Sequence, residues 1–232
     1  MEVNRLTFVL VHSPLVGPMT WRPVAAALSR RGVAALVPEM ANDTGTPYWE
    51  RHARSVGEQM RGIAAEQDVV LVGHSGAGAL LPAIRQLSER AVAAYVFVDA
   101  GLPSDGTPRL PPGPSRERMQ TIYERGERFP SWTDDDLKDA VPDGDLRRQL
   151  VADIRPQPWA FWTEPVPVFP GWPDAPCAYM RFGKNPSYDE PAGKAQRLGW
   201  PFSELQGDHF QMLFEPELVT DTLLTLTRQA VT

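Results

Sequence analysis

The 232-residue sequence predicts an α/β protein with a mainly parallel sheet and helices on both faces. Three observations carry this expectation. Short apolar runs alternate with helical segments up to Asp99, one of those runs holds four consecutive aliphatics, and Gly or Pro stands at many of the joints. A strand covered on both faces has no polar side to show, so unbroken Val and Leu are its mark.

The first strand is expected at Leu6 to Val11, followed by the loop His12 to Trp21. A helix over Arg22 to Arg31 has Val24, Ala27 and Leu28 at helical spacing and stops at Gly32. Val33 to Val37 is a second strand, ended by Pro38, which cannot donate to a ladder. Residues 39–50 form a loop whose turn formers run from Asn42 to Pro47. Tyr48 to Glu66 is a helix with Val56, Met60, Ile63 and Ala64 on its apolar side, and it leads into the strand Asp68 to Val72. A further helix runs to about Arg90, and the strand Ala93 to Val98 ends directly on Asp99. Strands joined in this way by helices are parallel, with right-handed crossovers.

Beyond Asp99 the rhythm breaks. Gly101 to Pro114 is a Pro/Gly-rich linker, and three helical candidates follow at Ser115 to Glu127, Asp134 to Ala140 and Asp143 to Asp153. With so few aliphatics this stretch cannot hold a core of its own, so it is expected to cap the carboxyl edge of the sheet. Strands resume at Ala178 to Phe182 and Phe202 to Leu205, with short helices at Ala192 to Leu198 and Leu218 to about Arg228. The expected organisation is therefore 1–102 and 171–232 as the two parts of one core, with 103–170 inserted as the cap.

Composition narrows the function. A formal charge of -6 without a Lys/Arg stripe argues against nucleic acid. No apolar run approaches the ~18 residues of a membrane span, and no basic start leads into an apolar segment, so a cytoplasmic protein without a secretory signal is expected. The single cysteine, Cys177, excludes an intrachain disulfide and a multi-cysteine zinc site. Carboxylates and histidines do not cluster at metal-ligand spacing, and the first strand lacks a dinucleotide glycine fingerprint. No metal and no cofactor are expected, and the partner is a small-molecule substrate.

The chemistry is expected around Gly73-His74-Ser75-Gly76-Ala77-Gly78, where an apolar strand ends and small residues open a helix. Glycines permit a sharp strand-to-helix turn that holds Ser75 exposed and strained, as a nucleophile needs. This segment resembles the nucleophile elbow of the α/β-hydrolase superfamily, with Ala77 in place of the second glycine and Gly78 one position later. The resemblance implies an α/β-hydrolase fold, a serine nucleophile at Ser75 and a histidine after the last strand, which is His209 in Gly207-Asp208-His209-Phe210. A neutral imidazole there removes the serine proton and returns it to a leaving group. Of the other histidines, His12 and His74 are expected to be structural, and His52 to lie on a helix surface.

Two carboxylates compete for the acid that orients His209. Asp99 stands at a strand end, and Asp189 comes seven residues after Phe182 in a polar loop. Strand ends hold side chains more rigidly than loops, which favours Asp99. For the oxyanion, Gly76 offers a backbone N–H, but the first-strand loop places Pro14 where a second N–H is normally found, and proline has none. The loop His12 to Trp21 resembles that of the plant methylesterase and hydroxynitrile lyase families, with Ser13 in place of glycine. That resemblance implies that the Ser13 hydroxyl contacts substrate, although the lyases' lysine is replaced by Phe210. VHSPLVGPMTW, GHSGAG, VFVDAGLP and Gly171-Trp172-Pro173 also resemble an actinobacterial group of small α/β-hydrolase-like proteins. Leu15, Trp132, Trp159, Phe161 and Trp162 are the candidates for an apolar pocket beneath the cap.

The leading expectation is a serine hydrolase for a small, largely apolar ester, thioester or lactone. The alternative is a non-hydrolytic lyase, cyclase or dehydratase of secondary metabolism that uses His209 for proton transfer. A purely binding protein needs no serine, acid and histidine in this order.

Overall fold

The structure, a computed structural model, describes residues 5–42, 45–111 and 114–232. The turn formers Asp43 and Thr44, and residues 112–113 of the linker, lie outside the described residues. The core chain runs β1 (Leu6–Val11), α1 (Arg22–Arg30), β2 (Ala34–Leu36), α2 (Tyr48–Met60), β3 (Asp68–His74), α3 (Leu81–Ser88) and β4 (Val92–Val98). After an excursion it returns with β7 (Cys177–Phe182), α7 (Asp189–Arg197), β8 (Phe202–Leu205) and α8 (Pro216–Ala230). The excursion holds β5 (Thr107–Pro108), α4 (Pro114–Glu124), α5 (Gly144–Ala152), α6 (Trp159–Thr163) and β6 (Pro165–Val166).

Six strands form one sheet in the order β2-β1-β3-β4-β7-β8, and every pairing in it is parallel. Alternate residues of β1 explain the two layers of helices. Leu6, Phe8 and Leu10 pack with Val24, Leu28, Val219 and Leu223 of α1 and α8 on one face. Val9 and Val11 pack with Val56, Met60 and Ile84 of α2 and α3 on the other. Each such side chain, fully buried, contributes about 1.5–3 kcal/mol relative to exposure, so β1 needs apolar residues on both of its faces. Because all six strands point the same way, the loops after β1, β3, β4, β7 and β8 meet at one carboxyl edge, where open α/β sheets bind their ligands.

The excursion leaves and rejoins that edge through an antiparallel pairing of β5 with β6. A bridge between Val16 and Ile154 ties it to the loop after β1. Asp143 caps α5 by accepting from the Asp145 and Leu146 amides, both at 2.9 Å. The helix expected over Asp134 to Ala140 is a series of turns instead. Four aspartates in seven residues are poor helix formers, and Asp136 accepts at 2.8 Å from the Thr133 amide and at 2.7 Å from its hydroxyl, a local bond that competes with helix formation. The helix after Ser75 also begins differently, as a 3-10 turn over Ser75–Leu80 before α3. Among the described residues no helix is long and apolar enough to cross a membrane.

Candidate active site

Ser75 follows β3 with φ at +58°, a left-handed conformation rarely adopted by a serine. Holding it there costs about 1–2 kcal/mol, which the neighbouring packing must overcome. Gly78 makes that packing possible, because a Cβ there would lie 2.2 Å from the Gly101 carbonyl oxygen. The same crossing is closed by the Gly101 amide donating to the Ser75 carbonyl at 3.3 Å. Ala77 is fully buried without such a conflict, so in this chain the indispensable glycine is one residue later than the elbow pattern expects.

Asp99 follows β4, also with positive φ, at +43°. Its carboxylate is wholly buried and has three neighbours: the His209 Nδ1 at 2.6 Å, the Asn185 Nδ2 at 2.8 Å and the Phe182 amide at 3.2 Å. The last two are donors, so the carboxylate is held by hydrogen bonds besides the one to His209. Asn185 Nδ2 also lies 3.0 Å from His209 Nδ1. A carboxylate only accepts, so His209 Nδ1 carries its hydrogen toward Asp99, Asn185 spends its donor on the same carboxylate and not on Nδ1, and the lone pair of Nε2 is left for a proton. His74, fully buried, donates from Nε2 to the His209 carbonyl at 2.9 Å and fixes the backbone of that loop. Burial holds His74 well below the usual histidine range, so it does this as a neutral group.

Ser75 Oγ lies 2.9 Å from the Tyr188 hydroxyl and, among the described residues, has no hydrogen bond to His209. Tyr188 ends a short 3-10 turn, Pro186–Tyr188, whose start is capped by the Asn185 side chain accepting from the Ser187 amide. Its ring stacks on that of His209, with centroids 5.2 Å apart and planes 13° apart. Burial, followed by the neighbouring Asp99 charge, pushes the Tyr188 hydroxyl up to about 12 against the lowering effect of Ser75.

The loop after β1 approaches the residue that follows the serine. A Cβ on Gly76 would be 3.5 Å from the Pro14 Cδ and 3.6 Å from the Ser13 Oγ, so these two residues face the Gly76 backbone. Ser13 Oγ accepts from the Leu15 amide at 3.3 Å, which leaves its own hydrogen free to be donated. His12 holds the loop from below: its Nε2 accepts from the Met40 amide at 3.2 Å, and its Nδ1 therefore donates to the Ser13 carbonyl at 2.9 Å. Residues of the excursion hold it from above. Gln157 donates to the Pro14 carbonyl at 2.8 Å, the Arg155 amide donates to the Leu15 carbonyl at 2.8 Å, and Asp153 sits where any side chain on Gly17 would be.

The profile of the Alpha/beta hydrolase family matches residues 8–222. The chain belongs to that family. Among curated proteins it is similar to putative methylesterases 12 and 14, both chloroplastic, of Arabidopsis thaliana, at 26% and 27% identity over 106 residues. Those matches span 43% of this chain and 30% of each relative. Among solved structures, an extracellular alpha/beta-hydrolase from a Paenibacillus species, described as sharing homology with tobacco salicylic acid binding protein 2, has a TM-score of 0.77 at 20% identity. That match covers 95% of this chain and 98% of the other. Polyneuridine aldehyde esterase gives a TM-score of 0.69 at 18% identity, covering 95% and 98%, and tomato methylketone synthase I gives 0.66 at 17%, covering 97% and 98%. At these identities the likeness concerns the fold.

Within the α/β-hydrolase frame, Asp99 is the carboxylate that meets His209. Asp189, the alternative acid, is displaced: it lies on the exposed start of α7 and pairs with Arg181. Leu15, Trp159, Phe161 and Trp162 share one apolar cluster with Tyr48 and Met119, whereas Trp132 packs against the main core, edge-on to Phe129 at 5.6 Å. His52 is not on the surface. It is 1% exposed because the excursion covers α2 there, with Phe161 at 5.7 Å from its ring. Asn185 and Tyr188 were not singled out by the sequence. The available signal is their place just after β7, in the polar turn Asn185-Pro186-Ser187-Tyr188 at the carboxyl edge of the sheet.

Proposed function

We propose that the protein is a serine hydrolase acting on a small, largely apolar ester, thioester or lactone, with Ser75 as nucleophile, His209 as base and Asp99 as orienting acid. The observation that carries this reading is the 2.6 Å bond between buried Asp99 and His209 Nδ1 beside a serine held at φ +58°. Ser75 Oγ turns from Tyr188 to His209, gives its proton to Nε2 and bonds to the substrate carbonyl carbon. The Asp99 charge steadies the resulting imidazolium. The Gly76 N–H and the Ser13 hydroxyl receive the oxyanion, the second in place of the donor that Pro14 lacks. The imidazolium then protonates the departing group, and a water activated by the same histidine releases the acid.

A fluorophosphonate probe is the direct test. Intact-protein and peptide mass spectrometry should find one adduct, on Ser75, and His209→Ala should slow its formation at least 100-fold because the serine loses its base. A folded protein that takes up no probe and cleaves neither short nor long acyl esters would end the hydrolase reading. Pro14→Gly tests the oxyanion site separately. It should raise ester turnover up to about 100-fold if a missing N–H limits the rate, since one such donor is worth roughly 3 kcal/mol.

A second reading is favoured by Pro14 and by the pairing of Ser75 with Tyr188. In a lyase, cyclase or dehydratase, Ser13 and Ser75 would hold a substrate oxygen while His209 moves its proton, and no acyl-enzyme would form. Conversion of a substrate without uptake of solvent oxygen, yet dependent on His209, would select it.

A further inference from the structure

Tyr188 has no part in a serine, histidine and acid mechanism, yet its hydroxyl touches the nucleophile at 2.9 Å. It is also built in, not merely adjacent. Asn185 donates to the acid Asp99 at 2.8 Å and, through its carbonyl oxygen, caps the turn that carries Tyr188, so the acid and the phenol are held by one side chain. The phenol ring then lies flat on the His209 imidazole.

Two groups meet at the nucleophile. Ser13 and Pro14 face the backbone of the adjoining Gly76, and Tyr188, in contact with Ser75 Oγ, lies on the His209 ring. A carbonyl carbon bonded to Ser75 Oγ turns its oxyanion toward the first group and its departing atom toward the second. Both substituents lie about as far from Oγ as any two atoms joined through one carbon, well within hydrogen-bond reach of a hydroxyl already in contact with it.

We propose that Tyr188 is a further catalytic residue, whose hydroxyl donates a hydrogen bond to the departing oxygen and so fits this site to alkyl esters and lactones in preference to thioesters. The inference deepens the serine-hydrolase reading and rests on it. In the acylation step the Ser75 Oγ–carbon bond forms and the carbon–oxygen bond of the ester breaks. The serine proton passes through His209 Nε2 to the alkoxide, and Tyr188 keeps its own proton throughout. An alkoxide is a poor leaving group and gains from a second donor as charge collects on it. A thiolate accepts hydrogen bonds weakly, and a nitrophenolate leaves without help, so neither needs the phenol. Burial keeps the Tyr188 proton in place through the neutral and mildly alkaline range, so it acts there as a donor.

The test compares ethyl butyrate with p-nitrophenyl butyrate, which share one acyl group, in the wild type and in Tyr188→Phe. For the variant, kcat/KM on the ethyl ester should fall roughly 10- to 100-fold while that on the nitrophenyl ester stays within about 3-fold. Retained nitrophenyl turnover also shows that the variant is folded. Equal losses on both esters would overturn the inference, leaving Tyr188 a packing residue. Equal gains would overturn it too, making the tyrosine only a restraint on the Ser75 hydroxyl. Ser75→Ala, run in parallel, separates the two levels. Turnover that survives it overturns the serine mechanism beneath, whereas Ser75-dependent turnover with equal Tyr188→Phe effects overturns the inference alone.

Discussion

Asp99→Asn is expected to lower ester turnover by about 10⁴-fold, the loss seen when an orienting carboxylate is replaced by its amide. The Asp99 carboxylate accepts from three sides, and an amide has only one oxygen to offer. If that oxygen remains toward His209, the new NH2 faces the Phe182 amide, donor against donor. If it turns toward Phe182, the NH2 faces His209 and favours the tautomer that puts the proton on Nε2, which removes the base. Either orientation also leaves a buried donor unmatched, at a stability cost of about 1–3 kcal/mol. Asn tolerates the left-handed backbone found at Asp99, so the effect is not a trivial backbone clash. Asp189→Asn is the control. It loses an ion pair with Arg181 in which Asp189 is 56% exposed, worth at most about 1 kcal/mol, and its turnover should match the wild type. Steady-state kinetics on one ester with both variants decides the assignment: if Asp189→Asn were the crippled one, the role given to Asp99 would have to be withdrawn.

The legibility of Asp99 in the sequence, and the invisibility of Tyr188, have the same physical origin. A residue that directly follows a buried apolar run is placed by the strand, so Ser75 after Val69 to His74 and Asp99 after Val92 to Val98 can be put at strand ends from the apolar runs, while their roles come from the resemblance. The parallel rhythm then brings their strand ends to one edge without any knowledge of contacts. Tyr188 is placed by a chain of short-range bonds, Asn185 to Ser187 and Asn185 to Asp99, in a polar turn whose shape no period encodes. The excursion was legible only in outline. The cap of α5 by Asp143 is a local rule and could be anticipated, but the aspartates before it follow another local rule, the side-chain bond of Thr133 to Asp136, which helical spacing conceals. The burial of His52 is hidden for a related reason: the polar side of α2 is covered by Phe161, more than 100 positions away in sequence, and amphipathic pattern reports only what the helix itself contains.

Three of the four histidines, His12, His52 and His74, are buried, and together they should make the protein acid-labile before its carboxylates titrate. Burial is the first cause in each case. His12 is lowered from the usual value, His52 is lowered to about 3 with Arg109 as the next cause, and His74 is held well below the ordinary range with His209 as the next. In the unfolded chain all three take up protons near pH 6.5, and in the folded protein they resist doing so. Because the unfolded state then binds more protons, stability rises with pH. The stabilisation is fully present above about pH 6.5 and is lost progressively below it, toward the lower folded-state values. A histidine that stays neutral in the fold at pH 5.5, as His52 does, costs about 1.4 kcal/mol there, and His12 and His74 act in the same direction on a net stability that is usually 5–15 kcal/mol. Urea unfolding midpoints at about pH 7.5 and 5.5 measure this directly, and equal midpoints would refute it. His52→Leu isolates one contribution without touching the site. Its Nδ1 has no hydrogen-bond partner among the described residues and its ring lies against Phe161, so the variant should keep its neutral-pH stability to within about 1.5 kcal/mol and lose about 1.4 kcal/mol of the acid sensitivity at pH 5.5.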